Sequence, residues 1–317
     1  MLKLNTLSGF GSGVSGGAAG ATYGYFIAGQ STGGAYSLAA DRITYSTGVA
    51  AAHADANASV AREGPRGLSD TITYGYVMGG WTAEARSGMT DRITFSTSTT
   101  AASTDSNLST DRHIGGTTSD SVTYGYYCGG SHTTGKKVTG DRIVFSTSIT
   151  SAHTDADLSE ARQQPGATSS ATYGYICGGW GAAAVDTADR ITFSTGVAAA
   201  HTDADLSSGR SGPAGLTDGT AYGYIMGGYS NAASTTTDRI TFSTSVLAAH
   251  TDSDLPSADN NGASHSDNSV YGYYASASTS VIEGQRMTFS TGVVAVHTDS
   301  DTSEPKNNTA GISDGAP

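Results

Sequence analysis

Short apolar segments alternate with clusters of Gly, Asp, Ser and Thr along the chain, and none sustains the i, i+3, i+4 spacing of a helix. Residues 222–228 read Tyr-Gly-Tyr-Ile-Met-Gly-Gly, so Tyr222, Tyr224 and Met226 fall on one face of a strand. Residues 240–244, Ile-Thr-Phe-Ser-Thr, predict a β-branched and aromatic strand, and residues 246–250 begin another. Before them, residues 213–217 lead into Asp218-Gly219, a two-residue hairpin signal. Four short antiparallel strands are therefore expected within about 50 residues.

That unit recurs. Tyr-Gly-Tyr elements start at Tyr23, Tyr74, Tyr124, Tyr173, Tyr222 and Tyr271. An element reading Asp-Arg-Ile-Thr-Phe-Ser-Thr, or close to it, follows each, altered most in the last copy, which opens Gln285-Arg286-Met287. Four strands per period of this length is the arithmetic of a propeller blade. The pattern predicts an all-β, six-bladed β-propeller spanning residues 21–317, built of four-stranded antiparallel blades. Tyr would supply bulk where blades stack, and Gly beside it, as at Gly75 or Gly223, would admit a neighbour's side chains. Residues 309–315 match residues 214–219, so a C-terminal strand is expected to complete the blade begun at Tyr23 and remove an exposed sheet edge. Residues 1–20 are then expected to form a Gly-rich arm outside the ring.

The apolar strand ending in Gly-Gly, the aromatic strand after it, and the Leu-Ser-x-x-Arg segments at 108–112, 158–162 and 206–210 resemble the kelch and galactose-oxidase type of β-propeller. The resemblance covers essentially the whole chain. It departs where kelch repeats carry Trp after the aromatic strand, since His153, His201, His250 or His297 stands near that place here. Near-identical copies rich in Gly, Ser and Thr are also similar in style to repeat proteins of tailed-phage tails and fibres.

Composition narrows the partners. The formal net charge is −12, and the chain holds four Lys, none in the cluster that phosphate binding requires. Nucleic acid and anionic membrane surfaces are not expected partners. No apolar run reaches the length of a membrane span, and residues 1–6 lack a secretory pattern. The expected location is a virion if phage-encoded and the cytoplasm otherwise. Cys128 and Cys177 occupy the position held elsewhere by Ile27, Met78, Met226 and Ala275, which predicts buried packing residues.

Two repeated motifs carry charge. Asp91 and Arg92 point to opposite faces of a strand, so Arg92, Arg142, Arg190 and Arg239 are expected to reach carboxylates on a neighbouring strand or blade. In His-Thr-Asp-x-Asp, the pairs Asp155/Asp157 and Asp203/Asp205 could supply two oxygens to a hard cation, or could bond backbone N–H groups in a turn. The turn reading is the expectation, and no metal or other cofactor is expected.

An active site needs unlike groups converging at one point, and six similar copies supply no singular set. The blades differ instead in the connection between second and third strands. Trp81, Trp180 and Tyr229 open those connections in three blades, and Lys136-Lys137 lies within a fourth. Variable loops on a rigid scaffold are where recognition resides. These rings could stack on a sugar, anchor a protein contact, or simply cap the blade core; the Lys pair reads as a solvated loop tip. The expected function is a non-enzymatic structural or adhesive subunit of a larger assembly, such as a phage tail or fibre, binding a protein neighbour or surface glycan. The alternatives are a free lectin-like propeller and a hydrolase or oxidase with a site in the axial channel.

Overall fold

The computed structural model describes residues 21–276 and 282–315; the arm expected over residues 1–20 lies outside them. The chain is a six-bladed β-propeller of antiparallel sheets. Blade 2 shows the plan: Arg66–Ser69 is innermost, followed outward by Tyr74–Met78, Thr90–Thr94 and Thr99–Ala102. Blade 1 takes its second to fourth strands from Tyr23–Ser31, Tyr36–Thr44 and Val49–Ala52. Its innermost strand is Ala310–Ser313, from the other end of the chain, with Tyr25 paired to Ile312. Closure by the C-terminal strand is as the sequence predicts.

Stacking of blades follows from the Tyr-Gly-Tyr alternation. The second Tyr of each copy projects onto the aromatic ring ending the next blade's third strand, as Tyr76 does on Phe145 with centroids 6.0 Å apart. The same stack joins Tyr25 to Phe95, Tyr126 to Phe193, Tyr175 to Phe242 and Tyr224 to Phe289. At the last seam the partner of Tyr273 is Tyr45. Such pairs contribute about 0.5–1.5 kcal/mol each beyond the apolar area they bury. The Gly between the two Tyr faces the preceding blade: a Cβ on Gly125 would lie 2.8 Å from Leu68, and one on Gly223 would lie 2.5 Å from Thr168.

The expected Arg network takes a different form. Arg92, Arg142, Arg190 and Arg239 do not reach carboxylates; each lies over the first Tyr of its own blade, 4.2 Å from the Tyr74 centroid in the case of Arg92. They share the strand face on which that Tyr stands, and its π-cloud attracts the cation. The carboxylates beside them face the other way and meet the Arg of Leu-Ser-x-x-Arg or, at Arg62, of its Ala-Ser-x-x-Arg counterpart. Arg62 pairs with Asp91 at 2.8 Å, Arg162 with Asp189 at 2.7 Å and Arg210 with Asp238 at 2.8 Å, and Arg112 pairs with Asp141. All these side chains are buried. Each pair fixes an incoming connection to the third strand of the blade it enters. At the closure Lys306 takes the Arg position and meets Asp41 at 3.0 Å. In blade 6 both positions change together, to Asp259 and Gln285.

Around the axis runs a second closed device. Six connection residues, one per blade, donate backbone N–H groups head to tail: Gly64 to Asn308, Asn308 to Asn261, Asn261 to Gly212, Gly212 to Gln164, Gln164 to Ile114, and Ile114 to Gly64. Every member has positive φ, from 49° at Asn308 to 65° at Gly64. The ring satisfies six donors that would otherwise be orphaned near the axis.

The hairpin signal at Asp218-Gly219 resolves into a longer loop, because Asp218 Oδ1 accepts the N–H groups of Thr220, Ala221 and Tyr222. Asp314 repeats this across the closure, accepting from Thr22 and Tyr23 at 2.7 and 2.8 Å.

Candidate functional site

The connections between second and third strands lie beside those between blades. They pair directly: Trp81 bridges to Glu63, Ser131 to His113, Trp180 to Gln163 and Tyr229 to Ser211. Backbone bonds therefore hold the variable loops against the blade connections, and the rim is built rather than loose.

Four blades contribute an arc of aromatic and cationic side chains. Arg86 lies 4.4 Å over the Trp81 ring, and His113 meets that ring edge-on at 5.2 Å. In the next blade Ser131–His132 and Gly135–Lys136 form a small hairpin. Lys136 Nζ donates to the carbonyl of Gly181 and lies 6.0 Å from the Trp180 ring centre. It is half-buried, so Lys136 is a strut between two loops and not the solvated tip that its sequence suggests. Lys137 donates to Thr134 within its own loop. Tyr229 remains 39% exposed. The structure thus brings Lys136 and Trp180 together, places Trp81 in a separate cluster, and leaves Tyr229 as the most open ring of the three.

Arg86 and His113 complete the Trp81 cluster and escape sequence reasoning, since neither belongs to the repeated pattern. Burial holds His113 neutral, with its pKa lowered to about 4, and Arg86 and Arg66 act in the same direction. The ring rests on the Ser131 carbonyl, 3.2 Å from Nδ1.

The His-Thr-Asp-x-Asp motif divides its two acids. The second accepts an N–H of the third strand at 2.8 Å, from Gly140 to Asp157 and from Ala188 to Asp205. Asn57, Asn107, Asp254 and Asp301 do the same, so the tie requires an oxygen and not a charge. It spans 17 residues and ties the turn to a strand, a longer reach than the local turn expected. The first acid, Asp155 or Asp203, sits exposed in a short 3-10 turn. No group of three or more His, Cys, Asp or Glu side chains gathers among the described residues. Cys128 and Cys177 are buried, and burial pushes both thiols up to about 12, which removes them as nucleophiles at neutral pH.

Along the axis the inner strands enclose a channel of about 200 Å³, running from Gly212 and Asn261 at the hydrogen-bonded ring to the hydroxyls of Ser69, Ser119, Ser169 and Thr217. Its described lining includes two ionisable side chains, Arg66 and His265.

Fold and rim together define a β-propeller with variable loops tied down on one face. No protein-family model matches the chain, and no curated protein matches it.

Proposed function

We propose that this propeller is a non-enzymatic structural and adhesive subunit of a larger assembly, of the kind found in phage tails and fibres, and that its rim contacts a protein neighbour or a surface glycan. The observation that supports this reading is the arc from Trp81 through Lys136 and Trp180 to Tyr229, in which rings and cations are fixed by backbone pairing before any partner arrives. Pre-ordered aromatic and Arg groups lose little freedom on binding, which is why they dominate binding energetics. The kelch-like repeat pattern favours the same role, because its six copies repeat a scaffold and vary the rim.

Size-exclusion chromatography with light scattering, together with a glycan array, tests the reading. Self-assembly, or retention on a defined glycan, is expected for the wild-type chain, and Trp180→Ala with Tyr229→Ala should weaken it at least about tenfold. A monomer that binds no glycan, or binding unchanged in the double variant, would reject it.

A further inference from the structure

The geometry points to an oxyanion site, for a carboxylate or phosphate group, on the wall of the axial channel at Arg66. The inner strands pair in one register, so Arg66 opposite Met78 corresponds to Gly116, Gly166, Ala214, Ala263 and Ala310 in the other blades. Only blade 2 places a charged side chain at this level. Room for it comes from blade 3, where Gly115 replaces the Pro that precedes the inner strand in its neighbours at Pro65 and Pro165. Arg66 Nε donates to the Gly115 carbonyl at 3.0 Å and Nη1 to the Pro65 carbonyl at 3.2 Å.

Those carbonyls orient the guanidinium without neutralising it. Arg66 forms no ion pair among the described residues, in contrast to Arg62, Arg112, Arg162 and Arg210. The segments outside the described residues contain no Asp or Glu that could supply one. Nη2 meets no acceptor among the described residues and is not among their buried polar atoms left unsatisfied, so it keeps some solvent contact, and Arg66 lines the channel. The other ionisable group of the lining, His265, is held neutral by burial. The channel wall therefore carries an uncompensated positive charge on a side chain that cannot deprotonate. Arg presents planar paired donors suited to carboxylate and phosphate, and a narrow channel screens such a pair less than open water does. The surrounding walls are small residues and hydroxyls, which suit a small ligand.

Isothermal titration of the purified chain with inorganic phosphate, and separately with acetate, at ionic strength matched with chloride, tests the site. One saturable site per chain is expected for at least one of the two, and the tighter arm identifies the preferred class. Arg66→Gln should weaken it at least about tenfold, and Arg66→Lys should fall between, because it keeps the charge and loses the planar fork. Near-UV circular dichroism checks that Arg66→Gln is folded; if it is not, Arg66→Lys carries the test alone. Absence of saturable binding to both probes, or an unchanged Kd in the folded variant, would overturn the assignment.

Discussion

Tyr45 Oη lies 2.8 Å from His265 Nδ1 at the seam between blades 6 and 1, and both residues depart from the repeat there. The other five blades have Phe at the Tyr45 position, and Leu68, Thr118, Thr168, Leu216 or Ile312 at the His265 position. Tyr45 also donates its hydroxyl proton to the Ser266 carbonyl at 3.0 Å. With that proton spent, His265 donates from Nδ1, which leaves Nε2 as the unprotonated atom, buried and without a partner among the described residues. This seam thus places a Tyr–His pair where the internal seams set Phe beside Leu, Thr or Ile.

This pair makes stability depend on pH. Burial lowers the His265 pKa from 6.5 to about 3. Between those values the unfolded chain binds a proton that the folded chain refuses, so stability falls as pH drops from about 6.5 towards 3. Urea unfolding at pH 7 and pH 4.5 should show a loss of about 2–3 kcal/mol from this residue. His265→Leu, which restores the repeat's apolar choice, should remove that part of the loss. A smaller slope of the same sign should remain, because His113 is also depressed, to about 4. An identical pH dependence in the variant would refute the assignment.

The buried Arg–Asp pairs predict a non-additive response. Arg162→Met removes the partner of Asp189, and the isolated carboxylate should cost about 3–5 kcal/mol. Adding Asp189→Asn removes the stranded charge, so the double variant should recover much of that loss despite carrying one more change. Blade 6 already lacks the pair, with Asp259 and Gln285 at its two positions, and Tyr274 donates to Asp259 at 3.1 Å. Equilibrium unfolding of both single variants and the double closes the cycle. Simple additivity would show that the pair is not coupled.

The fold was legible because its determinants repeat: Tyr-Gly-Tyr states the stacking face, and the likeness of residues 309–315 to 214–219 states the closure. What one blade does to the next was not legible. Asp91 and Arg92 could be assigned to opposite faces, but their partners, Arg62 and Tyr74, depend on the blade geometry. The rim rings were found because aromatic residues opened variable loops, whereas Arg86 and His113 join Trp81 only through folding. Arg66 had a readable signal, a charge where other copies keep Gly or Ala, and it lay in a strand rather than in the variable loops.

Positive φ gives a paired test of strain. Ser121 adopts φ 63° in the loop where blade 5 places Gly219 at 79°. Ser121→Gly should stabilise by about 0.5–1 kcal/mol, the relief of the left-handed backbone less the entropy that Gly loses on folding. Gly64→Ala should do the opposite, costing about 1–3 kcal/mol, because its φ is 65° and a Cβ would lie 2.6 Å from Ile114 within the hydrogen-bonded ring. Chemical unfolding of the two variants, with opposite signs expected, checks both.

Closure gives the broadest prediction, since one short segment serves four contacts. Deleting residues 308–317 removes the strand Ala310–Ser313, the ring member Asn308, the Asp314 cap over Thr22 and Tyr23, and Ile312 from beside Gly75. Blade 1 would then expose the edge of Tyr23–Ser31 to the axis and to other chains. The thermal midpoint should fall by on the order of 10 °C or more, accompanied by aggregation. Lys306 and Asp41 would remain as a buried pair, too small a link to hold the seam. Deleting residues 1–12 should shift the midpoint by no more than about 2 °C. If the N-terminal deletion proved the more damaging, the C-terminal strand would not be the clasp.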